Sequence, residues 1–188
     1  ESSKIANPFG GGIYVLVPEG LNLGWFDVTI KKAVKAPYFS SREGKKSDPS
    51  LWKEEVDKMH VPWVDLESDK FMTTLTSRQM SGSLDSTKGT KTPTDPTEMM
   101  QKWDEILDAF NYAGGRPLER TRPEYIITDS RIPDGSYGTG YPAVYQDIGM
   151  KATAVFGLGD VIPEKEFYKQ GHFTTVLHEM GHLEHHPT

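Results

Sequence analysis

The sequence predicts one domain of the α+β class that spans residues 1–188. Short runs of β-branched and aromatic residues come first, and amphipathic helical patterns are interspersed without a regular alternation of strand and helix. The chain contains no internal repeat. A length of 188 residues is enough for one hydrophobic core and short for two domains.

Composition excludes several classes of protein. The formal net charge is −6 and no Lys/Arg cluster is longer than two residues, so nucleic acid is not an expected partner. No run of 18 apolar residues occurs, so no membrane span is expected. The absence of cysteine excludes disulfides, thiolate zinc sites and a cysteine protease.

Two strands are predicted near the N-terminus. The β-branched and aromatic run Ile13–Val17 ends at a turn signal, Pro18–Gly20. In Trp25–Ile30, apolar residues alternate with polar ones, which is typical of a half-buried strand. An irregular exit is expected at Pro37 because proline cannot donate to a strand ladder.

A short helix and a pair of strands follow. Residues 48–60 begin with an Asp cap and an early proline, and their helical spacing predicts one apolar face, composed of Leu51, Trp52, Val56 and Met59. Residues 61–67 and 70–76 predict two strands joined by a turn at Ser68–Asp69. Residues 81–96 contain almost no apolar residue and predict an exposed loop.

The clearest predicted helix is Thr97–Ala113. Gly114–Gly115 ends this helix. Its apolar residues follow a 3.6-residue period and are Met100, Trp103, Ile106, Leu107, Phe110 and Tyr112. Residues 122–129 then predict a strand, and residues 134–142 predict a glycine- and tyrosine-rich loop. Further strands are predicted at 143–145 and 154–157, and residues 163–166 open the region leading to the last helix.

The sequence His178-Glu179-Met180-Gly181-His182 is an HExxH motif. Histidines four residues apart lie on the same face of a helix, so His178 and His182 can both reach one Zn²⁺ ion. Glu179 can reach a water held by that ion and act as general base, then protonate a leaving amine. The motif therefore predicts zinc-dependent hydrolysis of peptide bonds.

The motif has two interpretations at this point. Apolar residues at 173, 176, 177 and 180 form one helical stripe, which favours a buried helix that carries the motif on its other side. The alternative is a chance match on a helix with two surface histidines and a glutamate, since five-residue motifs have false positives.

A catalytic zinc normally has three protein ligands, and the motif supplies two. Glu184, His185 and His186 follow His182 so closely that the helix would have to break at once for any of them to reach the same ion. His60 and His172 are distant in sequence. We therefore expect the third ligand to come from a downstream segment or a further chain, so that the domain is C-terminally incomplete.

An ordered set of segments resembles one family. The segments are Asn7–Tyr14, Ala36–Phe39, Trp63, Ala113–Gly114, Asp129, Gly140–Pro142 and the HExxH motif. In this order they resemble the enhancin-like, mucin-degrading zinc metallopeptidases (peptidase family M60). The resemblance spans nearly the whole chain.

The resemblance implies a zincin-like metallopeptidase domain with a mixed β-sheet and an HExxH active-site helix. It implies a zinc endopeptidase that acts on O-glycosylated, mucin-like proteins and is secreted or displayed at the cell surface. By position, His178 and His182 match the family's zinc ligands and Glu179 its catalytic glutamate. The family also includes channel-associated animal proteins, and the intact HExxH predicts that this chain lies outside that branch.

Two tyrosines are candidates for binding the sugar of such a substrate. Tyr137 and Tyr141 lie in the glycine-rich loop, where an aromatic ring can stack on a sugar. The alternative is that both rings anchor the loop. For the whole chain, the alternative function is a non-catalytic glycan-binding or structural matrix module on a metallopeptidase-like scaffold.

Overall fold

A computed structural model describes residues 3–8, 10–18, 20–22, 24–58, 60–77, 95–129, 131–132, 136–137, 140–146 and 176–182. The Cα positions divide the chain into two compact units, residues 1–35 and residues 36–188. The prediction of a single domain stays a prediction. The sheet, its helices and the hydrophobic core all belong to the second unit.

The first unit differs from the prediction. Neither Ile13–Val17 nor Trp25–Ile30 forms a strand, and all described side chains of residues 3–35 are exposed. A strand needs a neighbour to accept and donate its backbone hydrogen bonds. Neither segment is a strand of the sheet within the described residues, so the strand prediction is wrong for this structure.

The second unit is built on a mixed six-stranded sheet with the spatial order β1-β2-β3-β4-β6-β5. The strands are β1 (Tyr38–Ser40), β2 (Trp63–Glu67), β3 (Phe71–Thr76), β4 (Glu124–Asp129), β5 (Ser136–Tyr137) and β6 (Ala143–Gln146). The β2–β3 and β5–β6 pairs are antiparallel, and the other three pairs are parallel. The predicted α+β class is confirmed.

The strand predictions in this unit are confirmed to within two residues at β2, β3, β4 and β6. In the β2–β3 hairpin, Val64 lies opposite Leu75 and both side chains are fully buried. Side chains alternate between the two faces of a strand, so this register directs one apolar face of the sheet to the core. The predicted elements at 81–94, 154–157 and 163–166 lie outside the described residues.

Helix α1 (Pro49–Asp57) begins as predicted, because the Asp48 carboxylate accepts a hydrogen bond of 2.8 Å from the Ser50 amide. Trp52 and Val56, four residues apart, are its buried residues. Leu51 was predicted on the same face but is 60% exposed. A step of one residue turns the helix by about 100°, which takes Leu51 off the narrow buried stripe.

Helix α2 (Thr97–Ala113) has the predicted bounds. Met100, Trp103 and Leu107 are fully buried, whereas Tyr112, which follows the same apolar period in the sequence, is 84% exposed and lies outside the core. Nine residues separate Trp103 from Tyr112, which is about half a rotation beyond two full turns. The helix ends at Gly114, and Gly115 follows with φ +66°, a conformation that glycine adopts without strain.

Both helices pack on the same face of the sheet. The Phe39 and Trp52 rings meet edge to face at 5.6 Å, and the Phe71 ring stacks on Trp103 at 4.5 Å. Such aromatic pairs add about 0.5–1.5 kcal/mol to the free energy of burial. A third helix, α3 (residues 176–182), contributes to the same core. Among the described residues, no helix has the length and apolar composition needed to cross a membrane.

A buried ion pair joins the end of α2 to the start of β4. Arg120 Nη1 lies 2.8 Å from Glu124 Oε1, and the two side chains are only 9% and 16% exposed. Arg120 Nη2 also donates to the Asn111 side-chain oxygen at 3.1 Å, while Asn111 Nδ2 donates to the Pro117 carbonyl at 2.8 Å. This network holds the connection between helix and strand against the sheet.

Replacing Arg120 by alanine leaves the Glu124 carboxylate buried without its partner. We expect Arg120→Ala to lower the free energy of unfolding by about 3–5 kcal/mol, measured by urea denaturation. The control is Lys53→Ala, which removes an exposed pair with Asp57 and should leave the urea midpoint nearly unchanged. Equal destabilisation by the two substitutions would contradict the proposed role of Arg120.

A second polar cluster lies where β1 meets β2. The Glu67 side chain is 10% exposed; it accepts a hydrogen bond from the Tyr38 hydroxyl and pairs with Arg42 Nη1 at 2.9 Å and Lys45 Nζ at 3.6 Å. Burial raises the pKa of the Glu67 carboxyl, but the hydrogen bonds from Tyr38 and Arg42 and the charge of Lys45 outweigh burial. The net result is a pKa below the ordinary value.

The lowered pKa of Glu67 makes the free energy of unfolding depend on pH. Its contribution is fully present above the unfolded-state pKa of about 4.3 and is lost as pH falls through the lower folded-state pKa. In urea titrations from pH 7 to pH 3, Glu67→Gln should be less stable than the wild type at pH 7. The difference should shrink below about pH 4.3.

The exposed Glu43 provides the control for this experiment. Glu43→Gln should follow the wild-type pH profile. If Glu67→Gln is destabilised by the same amount at every pH, the carboxylate charge is not the cause.

Candidate metal centre

Helix α3 positions the HExxH residues by burying the side opposite to them. Val176 and Met180 are 1% and 0% exposed and belong to the hydrophobic core under the sheet, and Leu177 packs against that core. The predicted apolar stripe is therefore confirmed for these three positions, while residue 173 lies outside the described residues. The core fixes the helix at its buried face and leaves the other face accessible.

His178 and His182 are both exposed and lie side by side on that accessible face. Their Nε2 atoms are 3.0 Å apart, with ring centroids at 4.7 Å and ring planes at 88°. This is the i, i+4 arrangement that the motif predicted. The structure thus brings the two predicted zinc ligands together.

The spacing of the two nitrogens fits a zinc ion. Zinc–nitrogen bonds are about 2.0–2.1 Å long, so one ion can contact two nitrogens that are up to about 4.2 Å apart. The observed 3.0 Å lies within that limit. The same distance also permits a hydrogen bond in which one ring donates an N–H to the other ring, and zinc binding would require both Nε2 atoms to be deprotonated.

No third ligand joins the pair within the part of the chain that the structure describes. There, no group of three or more His, Asp or Glu side chains is close enough to hold a metal. His60 is described and is therefore not a third ligand in this arrangement. The other candidates of the sequence analysis, His172, Glu184, His185 and His186, lie outside the described residues.

Glu179 lies between the two histidines in sequence and is partly buried. It follows His178 by about 100° around the helix, so it borders the histidine face without occupying it. A Cβ placed on Gly181 would meet no atom within 4 Å, which leaves the helix surface open next to His182. A carboxylate beside an accessible pair of imidazoles is suited to proton transfer at a metal site.

Tyr141 has partners other than a sugar. Its hydroxyl donates to the Pro123 carbonyl at 2.8 Å, the Arg122 guanidinium lies 3.8 Å from its ring centroid, and the Tyr125 ring is 6.1 Å away. Burial raises the pKa of the Tyr141 hydroxyl. These contacts anchor the loop to the sheet, and a sugar-binding role of Tyr141 stays a prediction. Tyr137 lies in β5, and its side chain is outside the description.

A polar row, which no sequence motif marked, lies on the sheet face that points away from the helices. Asp65 and Thr74 lie opposite each other in β2 and β3; the Thr74 hydroxyl donates to Asp65 and lies 2.7 Å from the Tyr125 hydroxyl. The signal was present in the sequence, because Asp65 lies between the buried Val64 and Leu66. A polar residue at such a position belongs to the opposite face.

We expect one zinc ion per chain to depend on both histidines. His178→Ala and His182→Ala should each abolish stoichiometric zinc measured by elemental analysis after dialysis, because a single imidazole on an exposed helix holds zinc weakly. His60→Ala should retain it. If His178→Ala keeps its zinc while His60→Ala loses it, the metal is bound elsewhere.

Comparison with known proteins provides independent support for the fold and the family. The sequence model of one protein family, described as peptidase M60, enhancin and enhancin-like, matches residues 32–187 of this chain. A conserved protein of unknown function from Bacillus anthracis has a crystal structure that superposes with a TM-score of 0.58 at 18% identity. That match covers 79% of this chain and 28% of the other chain, and at this identity it supports the fold alone.

Curated relatives are similar over nearly the whole chain. TRPM8 channel-associated factor 2 of Bos taurus is 29% identical over 178 residues, which is 95% of this chain and 17% of that protein. TRPM8 channel-associated factor 3 of Rattus norvegicus is 31% identical over 93% of this chain and 17% of its own length. This chain thus spans about a sixth of these relatives. Their names give no support to the prediction that the intact HExxH separates this chain from the channel-associated branch.

Proposed function

The chain belongs to the peptidase M60 family of enhancin and enhancin-like proteins, and from this premise we propose that it is the zinc-binding part of an endopeptidase domain. The observation that supports the proposal most strongly is the exposed histidine pair, whose Nε2 atoms lie 3.0 Å apart. Membership of a peptidase family gives this pair a chemical use, because the two histidines of an HExxH helix bind zinc in metalloproteases.

The residues of this chain take the following roles. His178 and His182 would hold the ion through neutral Nε2 atoms, which requires the ring protons to be on Nδ1. Zinc, when bound, supplies a Lewis acid that polarises a carbonyl and lowers the pKa of water to about 7. Glu179 accepts a proton from the attacking water and delivers it to the leaving amine, so one carboxylate is general base and then general acid. The third ligand is supplied by a downstream segment or by a further chain.

The finer proposal concerns substrate and location. We propose that the substrate is an O-glycosylated, mucin-like protein and that the enzyme acts outside the cell or at its surface. The resemblance of the Asn7–Tyr14 and Gly140–Pro142 segments to mucin-degrading members supports this. In Tyr141, the hydroxyl and one ring face are engaged by Pro123 and Arg122, so a sugar would have to use the remaining face of this ring.

A second candidate is a non-catalytic module that binds glycans or another protein. The observation that favours it is the name of the curated relatives, which are channel-associated factors. On this alternative the histidine pair is a remnant or a structural hydrogen bond. The two candidates differ in one consequence: only the peptidase requires the Glu179 carboxylate.

Glu179→Gln separates the candidates. In the full-length protein, we expect this substitution to lower kcat for cleavage of a mucin-type glycoprotein by about 10²–10⁴-fold, because a general base contributes about that much. Zinc content should remain, since Glu179 is not a ligand. Cleavage products resolved by gel electrophoresis and mass spectrometry provide the readout.

Glu105→Gln, which changes an exposed glutamate of α2, is the matched control and should cleave at the wild-type rate. A wild-type protein that retains zinc but cleaves neither mucin-type nor unglycosylated substrates supports the non-catalytic module. Unchanged cleavage in Glu179→Gln contradicts the assigned role of Glu179.

A further inference from the structure

Arg122, in the connection that leads into β4, carries a guanidinium that no acidic side chain neutralises within the described part of the chain. Three other arginines of the second unit, Arg42, Arg120 and Arg131, pair with carboxylates at 2.9, 2.8 and 2.6 Å. Arg122 is exposed and has neither an ion pair nor a hydrogen bond among the described residues. Its five N–H donors are therefore available to a ligand.

A tyrosine ring holds this guanidinium in place. The Arg122 guanidinium lies 3.8 Å from the centroid of the Tyr141 ring. That ring is itself fixed, because the Tyr141 hydroxyl donates to the Pro123 carbonyl at 2.8 Å and the Tyr125 ring lies 6.1 Å away. A cation–π contact orients a guanidinium without using any of its N–H groups. Arg122 is thus pre-organised, which lowers the entropy that a ligand must lose to order it.

The charges around Arg122 leave its positive charge uncompensated. Glu124 is the acidic residue nearest to it in sequence, but the Glu124 carboxylate is 16% exposed and is engaged by Arg120 at 2.8 Å. Residues 116–124 contain three arginines and two glutamates, an excess of one positive charge in a chain whose formal net charge is −6. This positive charge acts at the Tyr141 ring, because Arg122 lowers the pKa of the Tyr141 hydroxyl against the larger, opposite effect of burial.

We propose that Arg122 and Tyr141 form a subsite that binds a carboxylate of the substrate. The planar guanidinium presents parallel N–H groups that match the two oxygens of a carboxylate. The Tyr141 ring is 40% exposed and offers apolar surface next to it. The carboxylate belongs either to an acidic sugar or to an acidic side chain of the polypeptide. This inference rests on the proposed function, since it adds an anionic group to the glycoprotein substrate of the peptidase.

Binding of four related probes to the full-length protein tests the subsite. The first probe is an end-blocked mucin-type O-glycopeptide that contains acidic residues and is capped with sialic acid. The others are the same peptide after sialidase treatment, the capped peptide with its acidic side chains replaced by amides, and a form with both changes. Every protein carries Glu179→Gln, so that binding is measured by calorimetry without cleavage.

Arg122→Met keeps an unbranched side chain on the Tyr141 ring and removes the charge. We expect it to weaken binding of the first probe by about 10-fold or more, because a hydrogen bond to a charged group contributes on that scale. The probe without either carboxylate should bind parent and variant equally. Loss of the effect after sialidase treatment identifies an acidic sugar as the source, and loss after amidation identifies an acidic side chain.

Two further variants separate carboxylate binding from a loss of charge or of packing. Arg122→Lys keeps the charge without the planar fork and should recover only part of the affinity. Lys102→Met removes an exposed positive charge from α2 and should leave all four affinities unchanged.

Three outcomes would overturn the subsite: unchanged affinity in Arg122→Met, equal weakening of all four probes, or a parent protein that binds none of them. Equal weakening together with a lower urea midpoint would show that Arg122 only anchors the loop. Because no cleavage is measured, these outcomes leave the peptidase proposal to its own test, the loss of turnover in Glu179→Gln.

Discussion

The burial of Val176 and Met180 is the constraint on which the candidate site depends. These two side chains are four residues apart, so they lie on one face of α3, and both are almost completely removed from solvent. His178 and His182 are each two residues further along, which is about 200° around the helix. Anchoring one pair in the core therefore presents the other pair to solvent. The exposed histidine pair is a geometric consequence of how the helix docks.

The docking surface for α3 depends in turn on the register of the sheet. The β2–β3 pairing directs Val64 and Leu75 to the core and leaves Asp65 and Thr74 on the opposite face. A shift by one residue would exchange these faces and remove the apolar surface on which the helices pack. The buried Arg120–Glu124 pair and the Glu67 cluster hold neighbouring parts of the sheet in this arrangement. Polar interactions away from the site thus contribute to its geometry.

Sequence patterns were sufficient where local periodicity and tertiary burial agree. Helix α2 has the predicted bounds because its period of 3.6, its preceding proline and its terminal glycines all indicate the same limits. Residues 13–17 and 25–30 have the pattern of strands but are not strands in the described structure, because strand propensity depends on tertiary context that a local pattern cannot reveal. The histidine pair followed from its i, i+4 spacing. The exposure of Tyr112 and the contacts of Arg120 depend on how α2 packs on the sheet. No short motif encodes that packing.

The central claim is that the two exposed histidines hold one zinc ion in a member of the peptidase M60 family. Anomalous diffraction at the zinc absorption edge, on crystals of the full-length protein, tests it most directly. One anomalous peak is expected about 2.0–2.1 Å from both His178 Nε2 and His182 Nε2. A peak at other side chains, or a zinc-saturated crystal in which the two rings still share a hydrogen bond, would contradict it.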